Sequence, residues 1–387
     1  MRIVKILFFI LMLLSQLNSM PIDKSASKVH QVSLQLMWKH QFEFAGFYMA
    51  KHQGFYRDVG LDVELKEFDF DTNIVDDVTS NTSTFGLGYP GIILDKASGK
   101  DIVLLGAMLQ SSPHVLISLK SSNIKSIEDF KDRTINLLDD AIKTASFKSM
   151  LAVNNLSFEE MKKAKYRFNI NDLISKKVDL SSVFLSNEPY ALKQQNIQYD
   201  IWNPKDYGFE FYDDLLYTSS EYLNSNPQVV QSFTEASLKG WQYAYTHIEE
   251  TIKVILEHYN TQNKTKEALL FEANVLKKLA YSDIENFGQI DAHKIQRILD
   301  VYNLQGLLKN KIDLNEFIYE NKTNRILLSA KEQQYLKNNP VITVHNELNW
   351  PPYNFNINGQ AKGFSIDYMN LVVSKLGIKA QYHVGPT

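Results

Sequence analysis

Apolar residues between positions 30 and 110 form short continuous runs that alternate with amphipathic stretches. The runs are typical of buried strands, and apolar residues three or four positions apart are typical of helices packed on them. Strands are predicted at Val32–Met37, Leu61–Phe68, Thr84–Tyr89 and Ile102–Met108, and helices at Ala45–Tyr56, Thr72–Thr79 and Gly91–Ser98. This alternation with short connections predicts a mostly parallel sheet covered by helices.

The same alternation recurs after residue 112 and predicts a second α/β lobe. Helices are predicted at Ile142–Asn154 and at Asn187–Gln195, the latter with Asn187 as its N-cap. The strands are predicted at His114–Leu119, Arg133–Leu138, Ser181–Ser186 and Gln198–Trp202. Ser112-Pro113 and Asn203-Pro204 flank this block, so the chain is expected to cross between two lobes there. Lobe 1 is expected at about residues 30–110 and 205–328, and lobe 2 at about residues 112–203.

The pattern becomes helical from Leu215 onward, with helices predicted at Pro227–His247, Glu250–Tyr259, Lys266–Leu279 and Asp291–Tyr302. A charged linker at 329–340 follows. A strand at Val341–His345 and a helix at Gly363–Gly377 then begin a new unit. Because so few residues cannot bury a domain-sized core alone, 341–387 is expected to be the truncated start of a second domain.

Composition and charge exclude several function classes. The 387 residues carry a net charge of −3 and no cysteine, which disfavours nucleic-acid binding, disulfides and thiolate chemistry. The nine histidines lack metal-ligand spacing, so no metal site is predicted. Arg2 and Lys5 precede the apolar run Ile6–Leu14, which predicts a signal peptide at residues 1–20. An uncleaved membrane anchor is the alternative.

Four short motifs carry a resemblance to a known family: Trp38 with Phe44–Ala50, Gly54–Tyr56 with Gly60–Val63, Phe85–Gly88 and Asn187–Tyr190. Over about residues 30–325 the chain resembles the NMT1/THI5-like group. That group includes periplasmic binding proteins for thiamine precursors and the thiamine pyrimidine synthases. The resemblance implies a type II periplasmic binding protein-like fold, with two α/β lobes joined by a hinge and a helical carboxyl-terminal region.

The chain is similar in particular to the sensory branch of this group, through Asp206–Gly208 and Leu238–Ala244. Trp350–Tyr353 and Gly363–Asp367 resemble the start of a family 3 extracellular solute-binding domain. The resemblance implies the ligand-sensing part of a larger receptor, with membrane-anchored signalling modules in cis. Any catalytic activity would then lie in modules beyond residue 387.

The synthases of the group give an enzymatic alternative. They resemble this chain in fold, and they bind pyridoxal phosphate on a lysine with a histidine nearby, beside a cysteine-rich iron-binding run. Alignment on Phe85–Leu87 puts Gly88 at the lysine position and Ile92 at the histidine position. A Schiff base requires an amine, and the iron site requires soft or imidazole ligands. We therefore expect no enzyme activity and no cofactor, and the synthase is the disfavoured alternative.

The ligand site is predicted where the strands of both lobes end, as in other open α/β sheets. Trp38 is suited to stacking on a flat ring, with a core tryptophan as the alternative. Glu43 is suited to accepting a ring NH or amino group, with a helix-dipole role as the alternative. His114 is assigned a structural role. The full predicted set is Trp38, Gln41, Glu43, Tyr89, Gln110, Asn187, Glu188 and Tyr190.

These observations together predict a periplasmic binding protein for a small nitrogen heterocycle such as a thiamine-precursor-like pyrimidine. A ligand that contacts both lobes only when they close would shift the population from open to closed. The alternative within the binding class is the substrate-binding protein of an ABC importer, whose partner would be an ABC permease. No nucleic-acid partner is expected.

Overall fold

The structure is a computed structural model that describes residues 29–137, 144–165, 167, 170–281, 287–319, 330–347 and 349–384. The predicted signal peptide at residues 1–20 and the start of the predicted linker, residue 329, lie outside these ranges. Within them, two five-stranded sheets form the centres of two lobes, and two small sheets lie near the carboxyl end.

The strands are β1 (His30–Gln35), β2 (Leu61–Lys66), β3 (Phe85–Gly88), β4 (Val103–Leu109), β5 (His114–Leu119), β6 (Thr134–Asn136), β7 (Lys162–Ala164), β8 (Leu180–Phe184), β9 (Tyr199–Trp202), β10 (Asp213–Thr218), β11 (Val341–Asn346), β12 (Asn349–Trp350), β13 (Asn354–Ile357), β14 (Gln360–Lys362) and β15 (Lys379–Val384). The helices are α1 (Ala45–His52), α2 (Phe55–Asp58), α3 (Ile74–Thr79), α4 (Ile92–Ala97), α5 (Ala145–Val153), α6 (Asn171–Ile174), α7 (Glu188–Gln194), α8 (Ser220–Ser225), α9 (Pro227–Thr246), α10 (Ile248–His258), α11 (Lys266–Leu279), α12 (Ala292–Leu304), α13 (Leu314–Phe317), α14 (Ala330–Asn338) and α15 (Phe364–Leu376).

The two large sheets share one plan. In lobe 1 the strand order is β2-β1-β3-β10-β4, and in lobe 2 it is β7-β6-β8-β5-β9. Parallel pairs build one side of each sheet, as between β1 and β2 or β6 and β7. One antiparallel strand completes each sheet: β10 lies between β3 and β4, and β5 lies between β8 and β9. Each of these antiparallel strands follows a crossover from the other lobe.

The two crossovers between the lobes run through residues 110–113 and 203–212. The Lys294 ammonium on α12 donates to the backbone carbonyl of Gln110 in the first crossover. It also donates to Glu210 Oε2 in the second crossover, at 3.0 Å. A second donor, the Tyr281 hydroxyl, reaches Glu210 Oε1 at 2.6 Å. One side chain of lobe 1 therefore holds both connecting segments.

The helical region packs on lobe 1, chiefly through α9 against α1. Val230, Phe233 and Trp241 lie at helical spacing on α9, and all three side chains are fully buried. The Phe233 ring stacks on Phe85 of β3 with 3.8 Å between ring centroids. Helix and strand thus share one core. Among the described helices, none combines the length and the apolar character that crossing a bilayer requires.

Two predicted elements in lobe 1 are wrong. The prediction of helix from Leu215 onward fails because Asp213–Thr218 is the strand β10. All six of its residues are buried, so the segment lacks the alternation that would have marked a strand. The single helix predicted at Ala45–Tyr56 is instead divided at Gly54, whose φ of +79° lies in the left-handed region.

The segment after α14 contains two small sheets and the helix α15. β11 pairs in parallel with β15, and β12, β13 and β14 form an antiparallel sheet. Large apolar side chains on this segment are exposed, including Trp350 at 58%, Phe364 at 67% and Tyr368 at 60%. Its buried apolar residues are few, among them Ile366 and Val373.

Candidate functional site

A cavity of about 470 Å³ lies at the carboxyl ends of β1 and β3, where lobe 1 faces lobe 2. Lobe 2 and the two crossovers contribute Ser146, His114, Ser112 and Phe211 to its lining. The lining from lobe 1 includes Met37, Trp38, Phe68, Thr72, Asn73, Ile74, Val75, Leu87, Gly88, Tyr89, Pro90, Gly91, Ile92, Asp95, Asp213, Tyr217 and Tyr302. This volume is in the range of small-molecule sites in proteins.

Aromatic rings form one wall and the rim of this cavity. Trp38 stacks on Phe68 with 5.8 Å between ring centroids and 19° between ring planes. Phe70 contacts Trp38 edge-on at 5.9 Å, and its side chain is 77% exposed, so it lies at the rim. Another ring of the lining, Tyr89, contacts His114 edge-on at 5.7 Å. These rings leave flat apolar surface beside the opening, which suits a planar ligand.

The buried floor of the cavity is acidic. Asp213 begins β10, is fully buried, and its Oδ2 accepts a hydrogen bond of 2.7 Å from Ser112 Oγ. Asp95 is half-buried on α4, and burial raises the pKa of its carboxyl. Among the described residues that line the cavity, none is a lysine or an arginine. The described lining therefore offers carboxyl acceptors and, apart from the His114 imidazole, no basic side chain that would bind an anion.

Asp213 is one of four buried carboxylates that form a cluster. Glu43, Glu272, Asp213 and Asp214 are each at most 2% exposed. The ammonium of Lys264 contacts this cluster through a 2.9 Å bond to Glu272 Oε2. The other oxygen of Glu272 accepts the backbone N–H of Glu43 at 3.0 Å. Glu272 thus has a charged donor on one oxygen and a backbone donor on the other.

This cluster keeps at least one proton at neutral pH. Burial raises the pKa of Glu43 to about 8, and the nearby charges of Glu272 and Asp213 add to the increase. Burial, followed by the charge of Glu43, also raises the pKa of Asp214. As anions, Glu43 Oε1 and both Asp214 oxygens would have no donor.

The predicted residues of lobe 2 lie beside this cluster rather than on the cavity wall. Asn187 accepts a 2.6 Å hydrogen bond from Lys264 Nζ through its Oδ1. Asn187 takes the predicted N-cap position of α7, but its side chain makes no capping bond there. Glu188 Oε2 accepts the backbone N–H of Phe184 at 2.9 Å, which closes the turn before α7. The ring of Tyr190 packs on Phe271 of α11, 5.5 Å away.

The structure brings only part of the predicted site together. Trp38 and Tyr89 line the cavity, and so does His114, to which a structural role was assigned. Gln41 is buried, donates to Glu43 through its Nε2, and accepts from Lys264 at 2.8 Å through its Oε1. Gln110 donates to the backbone carbonyls of Ala107 and Gln289 at 3.1 and 3.0 Å, so its amide stabilises the hinge.

Several cavity residues had not been predicted from the sequence. Asp213 and Tyr217 belong to β10, which the apolar pattern did not identify as a strand. Tyr302 is on α12, far along the chain, and Phe68 follows β2. Of these residues, Phe68 could have been identified from the sequence, since it lies at the carboxyl end of a predicted parallel strand.

Comparison with known proteins finds relatives that include a binding protein and an enzyme. The formylaminopyrimidine-binding protein of Halalkalibacterium halodurans is 24% identical over 269 residues, which are 68% of this chain and 80% of that protein. The 4-amino-5-hydroxymethyl-2-methylpyrimidine phosphate synthase of Legionella pneumophila is 21% identical over 59% of this chain and 73% of that protein. This second relative carries the name of an enzyme.

Among solved structures, the periplasmic aliphatic sulphonate binding protein SsuA from Escherichia coli superposes with a TM-score of 0.58. It is 15% identical, and the match covers 79% of this chain and 98% of that chain. This likeness confirms the predicted periplasmic-binding-protein fold. A family model described as NMT1/THI5 like matches residues 41–251, more than half of the sequence. The chain therefore belongs to the NMT1/THI5-like family.

Proposed function

We propose that this chain is the ligand-sensing part of a periplasmic receptor and that its cavity binds a small planar nitrogen heterocycle. The observation that carries the proposal is the cavity between the lobes, with Trp38 and Tyr89 on its walls and Asp213 on its floor. Aromatic faces hold a flat ring, and a buried carboxylate orients it by accepting hydrogen bonds. The name of the formylaminopyrimidine-binding relative agrees with such a ligand.

The charge of the cavity lining distinguishes the proposed ligand from the aliphatic sulfonates in the name of the structurally similar SsuA. A sulfonate is held best by cationic donors, whereas the described lining holds Asp95 and Asp213 and has neither a lysine nor an arginine. Two carboxyl groups in the lining favour ligands that bring donors or positive charge over ligands that are anions. Amino-substituted pyrimidines fit this requirement, and aliphatic sulfonates do not.

The cavity also argues against the synthase alternative. Gly88 and Ile92, which take the positions of the lysine and histidine in the resemblance to the synthases, both line the cavity. A Cβ added to Gly88 would lie 3.3 Å from the Ile92 side chain and 3.4 Å from Tyr217. The space beside this strand end is thus filled by apolar and aromatic atoms. A ring bound in this cavity would therefore have no lysine amine at position 88 with which to form a Schiff base.

Replacing Trp38 with alanine is expected to weaken binding about 10- to 100-fold, since the ligand loses a stacking face and the apolar area it covers. The measurement is isothermal titration with a panel of aminopyrimidines, including a formylaminopyrimidine, and with aliphatic sulfonates as the opposing class. Trp350→Ala is the matched control, because Trp350 is an exposed tryptophan on the segment after α14. Equal affinity in the Trp38→Ala variant and the wild type would remove Trp38 from the site.

Replacing Asp213 with asparagine is expected to weaken an aminopyrimidine about tenfold or more, because hydrogen bonds to a charged acceptor are stronger than those to an amide. Asparagine retains an oxygen that can accept from Ser112, so the local fold is expected to persist. Titration of the variant with the same panel measures the effect. A gain in sulfonate affinity with no loss for aminopyrimidines would contradict the assigned polarity of the site.

The receptor part of the proposal rests on the segment after α14. Its exposed Trp350, Phe364 and Tyr368 form apolar surface that a further domain of the same chain would cover. Sequencing the gene downstream of codon 387 tests this part of the proposal. A continuing frame with a second solute-binding lobe, a membrane helix and a signalling module supports a sensor. A gene for an ABC permease after a stop codon would instead support the importer.

A further inference from the structure

We infer that Lys264 is a positioning residue that holds the two lobes together by donating to acceptors on both sides of the cleft. Its ammonium donates to Gln41 Oε1 at 2.8 Å and Glu272 Oε2 at 2.9 Å in lobe 1. The same ammonium donates to Asn187 Oδ1 in lobe 2 at 2.6 Å. Three donors thus meet three acceptors, and one of the acceptors belongs to the opposite lobe. This role is independent of which ligand the cavity binds.

Lys264 is fixed within lobe 1 before it reaches lobe 2. Its backbone N–H donates to Asn260 Oδ1 at 2.8 Å, and its carbonyl accepts from Asn260 Nδ2 at 3.0 Å. The neighbouring Gln262 amide donates to the backbone carbonyl of His40 at 2.9 Å. Thr261 contacts Glu67, which follows β2. The loop between α10 and α11 is therefore tied to the lobe 1 sheet.

The acceptor in lobe 2 is fixed as well. The backbone N–H of Asn187 donates to the carbonyl of Phe184 at 2.8 Å, and its carbonyl accepts from Tyr190 at 3.0 Å. Glu188 closes the same turn through its bond to the Phe184 N–H. Because neither group needs rearrangement inside its own lobe, the contact is made or broken chiefly by movement of one lobe relative to the other.

Charge explains why a lysine suits this position. The side chain of Lys264 is 17% exposed, and it faces a fully buried Glu272 with Glu43 behind it. An ammonium there offsets buried negative charge and still has one N–H left for the opposite lobe. A neutral side chain of the same length would leave Glu272 without its cation and Asn187 without its donor.

The test measures the distance between the lobes in the ligand-free protein, so it does not depend on the proposed ligand. Since the chain has no cysteine, spin labels can be placed at Glu257→Cys in lobe 1 and Gln195→Cys in lobe 2, both exposed positions. We expect Asn187→Ala to lower the ratio of closed to open molecules by about tenfold or more, seen as longer inter-label distances. Lys264→Met is expected to give the same lengthening.

Two further variants distinguish a positioning role from general destabilisation. Asn187→Asp retains an acceptor oxygen for the ammonium and is expected to keep the wild-type distances. Lys266→Met removes an exposed ion pair with Glu249 within lobe 1 and is expected to change nothing. Asn187→Ala leaves every lobe 1 bond of Lys264 intact, so it remains informative if Lys264→Met fails to fold. Unchanged distances in Asn187→Ala would overturn the inference.

Discussion

Raising the pH from about 5 to about 8 is expected to lower the free energy of unfolding, and Glu43 is the main cause. The pKa of Glu43 rises from 4.5 to about 8 in the folded protein because the carboxyl is buried beside Glu272 and Asp213. Between those values the folded state binds a proton that the unfolded state has released. Stability therefore decreases with rising pH in this window, by at most about 1.4 kcal/mol per pH unit for one group.

The neighbouring carboxylates act in the same direction. Burial also raises the pKa of Asp214 and of Glu272, so their proton binding adds to the decrease. Carboxylates whose pKa is lowered, such as Glu67 and Glu210, act in another window. Their contribution is present above the unfolded pKa and is lost as the pH falls below it, so it does not offset the effect of Glu43.

Replacing Glu43 with glutamine is expected to flatten this dependence. The variant should lose about 2–4 kcal/mol less than the wild type between pH 5 and pH 8, because the neutral amide has no proton to release. Urea unfolding at several pH values measures it. Glu249→Gln is the matched control, since the Glu249 side chain is 63% exposed in its ion pair with Lys266. A Glu43→Gln profile parallel to that of the wild type would refute the role of Glu43.

Replacing Gly240 with alanine is expected to destabilise the protein by about 3 kcal/mol, the upper part of the range for overpacked cores. Gly240 lies where α9 crosses α1. A Cβ there would overlap the Gly46 carbonyl oxygen and lie 2.7 Å from both the Cβ and the backbone nitrogen of Ala50. Because most of these atoms belong to the backbone, the helices themselves would have to move apart.

The melting temperature and the urea midpoint of Gly240→Ala measure this cost. Gln242→Ala, an exposed position two residues further along α9, is the control and is expected to stay within about 0.5 kcal/mol of the wild type. Gly46→Ala probes the same contact from the other helix, since its Cβ would overlap the Trp241 indole. A Gly240→Ala variant as stable as the control would show that the helices adjust without cost.

Most of the fold could be predicted from local pattern because the elements that follow one another also pack together. β1, β2 and β3 have their helices between them, and turn residues such as Gly60 mark their ends. β10 could not be predicted, because an antiparallel strand buried on every side has no polar alternation. Its place between β3 and β4 depends on the return crossover, which leaves no local trace in the sequence.

Less of the candidate site could be predicted from the sequence, again because segments far apart in the chain form it. Trp38 and Tyr89 follow strands of the sheet, so the rule that ligands bind at strand ends identified them. Gln41 and Glu43 also follow β1, but the short turn of 3-10 helix at Phe42–Phe44 directs them inward to Glu272 and Lys264. The partners that decide this, on α11 and the loop before it, are more than two hundred residues away in the chain.

The late position of β10 in the chain also affects the order in which the two lobes can fold. Every strand of the lobe 2 sheet comes from the continuous stretch between His114 and Trp202, whereas the lobe 1 sheet needs β10 before β3 and β4 can be joined. Lobe 2 can thus form while the chain is still emerging from the ribosome, and lobe 1 has to wait for residues beyond 213. Until then the edges of β3 and β4 stay unpaired, and this is the interval in which a chaperone would protect the chain from aggregation.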